Sequence, residues 1–261
     1  MRSQSFDWVI DLQGLARSGV FAWLANGALT VGLDDRREQA QLFYDLIGPR
    51  LSHEYHAVDW YLSVLPLLGL PAEGEFEWFP PRPLAAAAVR QKWPIEDKRW
   101  IIFQPGARWL NKRWPVEYFA ELARLMAASY PECRFAILGG ADDRSLGEVI
   151  SSAVPGKCLD LTGKLSLPEM VEWIRLSEMM VSNDTGPMHV AAALEKLVVA
   201  LMGPTEPRRT GPYNQTRHVL QINLPCVPCF KSHCTYVKPL ECLRALTPAM
   251  VFASVRERLR S

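Results

Sequence analysis

The sequence predicts an α/β fold built on doubly wound parallel sheets, and three observations predict it. Short apolar runs alternate with stretches whose apolar residues recur at helical spacing, the pattern of a parallel sheet covered on both faces. The chain has 261 residues, 49% of them hydrophobic and 22% charged, which suits one large domain or two modest ones with ordinary cores. Polar loops that carry glycine follow several of the apolar runs, where such sheets turn from strand to helix.

Taken in order, Phe6–Leu12 (FDWVIDL) is short, aromatic and β-branched, and reads as a strand. Leu15–Ala25 has helical periodicity, Leu29–Leu33 is a second extended piece, and helices are expected over Arg36–Leu46 and Ala57–Leu68. Pro71, Pro80, Pro81 and Pro83, followed by Ala85–Ala88, lose that periodicity and read as a linker ending near Lys98. The expected division is therefore 1–92 and 93–261. Beyond it, Trp100–Gln104, Arg134–Leu138, Lys157–Leu161, Glu178–Ser182, Leu197–Met202 and Val219–Asn223 read as buried strands. Helical patterns over Pro115–Ser129, Asp142–Ala153, Pro168–Leu176 and Pro187–Leu194 separate most of them. Thr247 and Pro248 supply the Ncap and N1 of a closing helix to Leu259.

Composition excludes several functions. With 29 basic against 28 acidic residues the net charge is +1, so the broad positive field of a nucleic-acid binder is missing. No apolar stretch reaches membrane-spanning length; the best, Val58–Leu70, contains Asp59 and Pro66. The first residues lack a signal-peptide pattern, and the six cysteines are expected to be reduced, in a cytoplasmic protein.

In doubly wound sheets ligands bind beyond the carboxyl ends of the strands, so the loops that follow each strand carry the information. These are Pro105–Pro115, Gly139–Asp143, Asn183–His189 and Gly203–Pro207. Asp184 or Thr185 can cap the helix that Pro187 begins, and Gly186 lets a ligand approach the backbone. The N–H groups and positive dipole end of that helix favour phosphate, and Lys112 offers a mobile cation on the same edge. Asp143 can take ribose hydroxyls, as an acid does in dinucleotide folds. Each part has a plainer reading: a turn and cap, a solvated lysine, a helix-start acid, a core histidine at His189. Their coincidence on one edge favours a nucleotide-diphosphate site. No GxGxxG follows a strand and no P-loop is present. Cys226, Cys229, Cys234 and Cys242 lie within 17 residues beside His233, and read either as a structural zinc site or as reduced structural thiols. No DxD motif occurs, so no divalent ion is expected in catalysis and no cofactor is required.

The segments VIDLQGLARSG, RREQAQLFYD, HAVDWYL, PGARWLNKRWPVEYFAEL, ILGGADD, VSNDTGPMHVAAAL, MGPTEPRRTGPY and PCVPCFKSHC, in this order, resemble the ADP-heptose:lipopolysaccharide heptosyltransferases, glycosyltransferase family 9. The resemblance implies a GT-B-like fold of two Rossmann-like domains, with an ADP-sugar donor held mainly by the C-terminal one. It assigns Lys112 to the donor diphosphate, Asp184, Thr185, Gly186, Pro187, Met188 and His189 to the donor pocket, and Asp143 to the ribose. Gln13, Arg17 and Arg37 match positions near a phosphorylated lipopolysaccharide-core acceptor, consistent with bidentate binding of phosphate by arginine. The partners so implied are the ADP-sugar and a lipopolysaccharide acceptor at the inner-membrane surface, where the chain would be peripheral.

The resemblance also exposes a departure. The family opens with an SxGD loop whose aspartate is the catalytic base, and no SxGD occurs here. About 60–80 residues, two βα units, are expected to be missing from the N-terminal domain. The base is thus unassigned. Asp11, at the end of the first strand, is the nearest substitute, with a structural or acceptor-orienting role as its plainer reading. The competing functional reading is a nucleotide-sugar binder without catalysis; a third makes the cysteine segment an interaction module.

Overall fold

The apolar runs form two separate parallel sheets. The computed structural model describes residues 6–259 except 36, 53, 75–76 and 96–97. The chain divides into two compact units, Met1–Phe76 and Glu77–Ser261.

In the first unit β1 (Trp8–Asp11), β2 (Leu29–Leu33) and β3 (Leu46–Gly48) pair in that order, all parallel. Helix α1 (Ala16–Ala25) connects the first two, and Asn26 ends it in the left-handed conformation. Helix α2 (Ala57–Leu62) brings Trp60 onto Val31 and Leu33, with Val64 completing the core. Trp8, Ile10, Phe21 and Trp23 are exposed on β1, the edge strand, and on α1.

Two expectations for this unit are corrected. The helix read over Arg36–Leu46 is a distorted 3-10 stretch, Arg37–Phe43, followed by the strand β3. Glu38 and Gln39 adopt positive φ, and Asp45 fastens the chain to β2: its carboxylate accepts the Thr30 N–H at 2.8 Å and its own N–H donates to the Thr30 carbonyl. Strand pairing therefore overrides local helical spacing. The helix read over Ala57–Leu68 stops at Leu62 and resumes as one 3-10 turn, Pro66–Leu68, because Pro66 has no N–H to give the Leu62 carbonyl.

The second unit opens with α3 (Pro83–Lys92), so the alanine-rich later part of the stretch read as linker is helix. Pro83 sits at its start, and Val89 is fully buried against Ile102 and Trp173. Strands β4 (Arg99–Gln104), β5 (Cys133–Ile137), β6 (Cys158–Asp160), β7 (Met179–Asn183), β8 (Leu197–Leu201) and β9 (Val219–Leu220) follow. All pair in parallel, in the order β6-β5-β4-β7-β8-β9. Between them run α4 (Val116–Ser129), α5 (Arg144–Ala153), α6 (Leu167–Leu176) and α7 (Gly186–Ala193), then the short α8 (Pro207–Thr210). After β9 come α9 (Glu241–Arg244) and the closing α10 (Pro248–Leu259).

Alternation along the strands builds a core on each face. Ile101, Phe103, Phe135 and Val181 pack with Phe119, Leu122 and Met126 of α4 and Val251 and Val255 of α10. Trp100, Ile102, Met180 and Ala200 pack with Trp173 of α6 and Met188 of α7. A sheet covered on both faces explains why its strands read as continuous apolar runs.

Candidate functional site

The strand order reverses between β4 and β7: from β4 the chain builds outward to β6, and from β7 it builds the other way to β9. That reversal opens a crevice at the carboxyl ends of these two strands, the ligand position of doubly wound sheets. Here the loop after β4 meets the loop after β7. Asn183, fully buried at the end of β7, accepts the Trp114 N–H at 3.0 Å and donates to the Pro105 carbonyl at 2.7 Å. One side chain thereby fixes both ends of the Pro105–Trp114 loop.

Within that frame the Lys112 ammonium lies 2.6 Å from Asp184 Oδ2 and 4.9 Å from the Trp109 ring centre. The Thr205 hydroxyl, from the loop after β8, donates to the same Asp184 oxygen. Asp184 is therefore committed to this network and does not cap α7. Thr185 occupies the Ncap position in extended conformation, and its side chain makes no capping bond either. The expected side-chain cap is absent; Pro187 has no N–H and the Met188 N–H donates to the Thr185 carbonyl at 3.1 Å, so the start of α7 offers an anion the Gly186 N–H and the positive end of the helix dipole. Gly186 is exposed there, with open space where a side chain would project. Met188 is buried in the core with its N–H donating to the Thr185 carbonyl, and His189 lies exposed on α7.

Beside this point is a recess of about 940 Å³, its open mouth included, bordered by Gly106, Gly140, Asp143, Leu165, Met170 and Thr185 among others. Asp143 is buried at its floor, accepting the Gly140 N–H at 3.0 Å and pairing with Arg113 at 3.3 Å. A side chain on Gly106 would stand 2.3 Å from the Asp143 carboxylate, so this close approach requires glycine. Arg113 also donates to the Ala107 carbonyl at 2.8 Å. Asp143 thus organises the loops around the recess. The leucine and methionine side chains supply an apolar wall, and Asp143 and Arg113 a polar floor.

The structure accordingly brings Lys112, Asp143, Asp184, Thr185, Gly186 and Pro187 to one edge of one sheet. Sequence reading missed Asn183, Thr205 and Arg113. Asn183 ends a strand and Thr205 follows a glycine-proline turn, and neither residue carries a sequence signal beyond its place in a strand-end loop.

In the first unit Asp11, at the carboxyl end of β1, is buried and heavily engaged. Its Oδ1 accepts the N–H groups of Gln13 at 2.9 Å and Gly14 at 3.4 Å, and its Oδ2 accepts the Tyr44 hydroxyl at 2.6 Å. Burial first, then the Asp11 carboxylate, hold the Tyr44 hydroxyl well above its ordinary range. Gly32 makes room for the ring, which a methyl group there would meet at 2.2 Å. Gln13 and Arg17 are exposed at the same end of the unit. The side chain of Arg37 lies outside the described residues.

All four clustered cysteines border a second recess, beside Pro204 and Asn111, and none is in a disulfide. Burial, then the Cys234, Cys226 and Cys229 sulfurs, push the Cys242 thiol up to about 11. Cys133 and Cys158 lie apart, on β5 and β6, where burial raises them to about 11 and about 12. Among the described residues no three His, Cys, Asp or Glu side chains stand at metal-ligand spacing. No helix among them is long and apolar enough to cross a membrane.

Fold and loop placement define a class: a doubly wound α/β protein whose polar loops gather at the switch point of its larger sheet, where such folds bind ligands. Comparison with known proteins makes that class specific. The chain belongs to glycosyltransferase family 9, the heptosyltransferases, whose sequence profile matches residues 1–239. It is 28% identical over 239 residues to lipopolysaccharide heptosyltransferase 1 of Pseudomonas aeruginosa, covering 90% of this chain and 65% of that protein. Its fold matches the glycosyl transferase family 9 structure from Veillonella parvula with a TM-score of 0.80 at 23% identity, over 100% of this chain and 76% of that one. It also matches the E. coli heptosyltransferase WaaC with ADP-2-deoxy-2-fluoro heptose, with a TM-score of 0.71 at 25% identity, over 98% of this chain and 73% of that one. The chain thus spans just under two thirds of its Pseudomonas relative. The expectation of a GT-B-like α/β fold with parallel sheets is borne out.

Proposed function

We propose that this chain binds ADP-heptose through its second unit and serves the transfer of heptose to a lipopolysaccharide-core acceptor, with inversion and without a divalent ion in the transfer step. The observation that carries the reading is the Lys112–Asp184 pair beside the uncapped start of α7, at the switch point of the sheet. A diphosphate lying there meets the lysine on one side and the Gly186 N–H, with the positive end of the α7 dipole, on the other. Those same groups stabilise the charge that develops as ADP leaves. The adenosine end fits the adjoining recess, with Asp143 toward the ribose and the Leu165–Met170 wall toward the base. WaaC in complex with an ADP-heptose analogue supports this choice of donor.

In the transfer itself the acceptor hydroxyl attacks the anomeric carbon, its proton passes to a base, and ADP departs from the opposite face. Gln13, Arg17 and Arg37 are assigned to the anionic acceptor. On this reading the chain acts at the inner face of the membrane as a peripheral protein. Asp11 is better suited to orienting than to proton abstraction, since both its oxygens already accept hydrogen bonds.

That engagement favours a second reading, a nucleotide-sugar binder with little transfer activity. Calorimetry with ADP and a transfer assay with ADP-heptose and a lipopolysaccharide-core acceptor separate the two. Binding with turnover supports the transferase, binding alone the second reading, and no binding removes both.

A further inference from the structure

The donor reading leaves the cysteine segment without a task. Cys226, Cys229, Cys234 and Cys242 border a single recess of about 550 Å³, its mouth included. Four thiols around one small volume are the donor set of a soft tetrahedral cation. The backbone nearby carries two further signs. The Leu240 N–H donates to Cys234 Sγ at 3.3 Å, a contact typical of the surroundings of metal-bound sulfur. Phe230, immediately after the CxxC pair, and Leu240 both hold positive φ, a costly conformation for such residues that persists where a binding site demands it. Lys231 also borders the recess and offsets the negative charge that four thiolates leave around a divalent ion.

The segment touches the donor loops on both sides. Asn111, next to Lys112, donates to the Lys231 carbonyl at 2.8 Å, and the Phe230 N–H donates to the Pro204 carbonyl, next to Thr205, at 2.7 Å. We propose that Cys226, Cys229, Cys234 and Cys242 bind one thiophilic divalent ion, of the zinc or iron type, and that this ion fixes the brace behind the Lys112 and Thr205 loops. The sulfurs do not already stand at ligand spacing. All four border the same recess, and binding requires their side chains to turn toward its centre. Each thiol gives its proton to solvent as its sulfur binds, so uptake falls as pH is lowered.

The test is metal content. The full chain, purified under reducing conditions without added metal, should carry about one zinc or iron per chain by elemental analysis. Replacement by Co²⁺ should give the thiolate-to-cobalt charge-transfer bands of a tetrahedral all-sulfur site. Cys242→Ser should lose the ion, while Cys158→Ser should keep it. If Cys242→Ser does not fold, the cobalt spectrum of the wild-type chain still decides. An ion-free protein with all four thiols open to alkylation, or with two disulfides by mass, overturns the proposal. This readout holds whatever the second unit binds. The brace is tested separately: stripping the ion should weaken ADP binding several-fold, and unchanged affinity overturns that part alone.

Discussion

The ammonium of Lys112 and the carboxylate of Asp184 meet at 2.6 Å, and Thr205 donates to the same carboxylate oxygen. Three loops that are distant in sequence are joined through that one atom. The lysine is half-buried and already held in a single place between Asp184 and the Trp109 ring. It therefore loses little side-chain freedom when a diphosphate arrives, which favours affinity.

Replacing Lys112 with alanine should accordingly weaken ADP binding by about 1.5–3 kcal/mol, roughly 10- to 150-fold, the worth of a charged hydrogen bond. Isothermal calorimetry at fixed ionic strength reads it. An unchanged dissociation constant would remove Lys112 from the donor site.

Thr205→Val keeps the shape and removes the hydroxyl that steadies Asp184. A neutral hydrogen bond supports a smaller loss, about 0.5–1.5 kcal/mol or roughly 2- to 12-fold in ADP affinity. An effect as large as that of Lys112→Ala would mean that Thr205 itself touches the nucleotide.

Asn183→Leu should act on stability. It strands the Trp114 N–H and the Pro105 carbonyl in the buried crevice, at about 1–3 kcal/mol for each orphaned group. Urea denaturation should show a lower midpoint with an unchanged slope. A wild-type midpoint would show that the loop is held by other contacts.

Acid should loosen the α3–α6 contact. Lys92 first, then Ser166, hold the Glu169 carboxyl at about 2, below its unfolded value of 4.5. A depressed carboxylate contributes stability that is complete above the unfolded value and fades as pH falls toward the folded one. Thermal melts between pH 5 and pH 2 should therefore fall less steeply for Lys92→Met than for wild type. Parallel curves would show that the pair does not govern acid stability.

Much of this was legible in the sequence, for physical reasons. Strands buried on both faces must be apolar throughout, so Trp100–Gln104 and Leu197–Met202 announced themselves to within a residue or two. The donor loops were legible because the sheet's geometry says where to look. What stayed hidden was decided by distant contacts. Asp45 reaching Thr30 turned an expected helix end into β3, and the burial of Val89 against Trp173 made a helix of a segment that resembles linker. Asn183 and Thr205 are ordinary polar residues until folding sets their partners opposite them. The capping role expected of Asp184 failed for the same reason: a lysine 72 positions earlier in the chain lies closer to hand.

The two-faced core of the second unit also has an evolutionary consequence. Ile101 and Phe103 answer to α4 and α10, whereas Trp100 and Ile102 answer to α3, α6 and α7. The sheet stands between the two sets like a bulkhead, so substitutions on opposite faces have few shared neighbours through which to compensate or aggravate one another. The two helical layers can therefore drift as separate lineages of change. The polar loops at the strand ends, which both layers support, are the one place where their histories must agree.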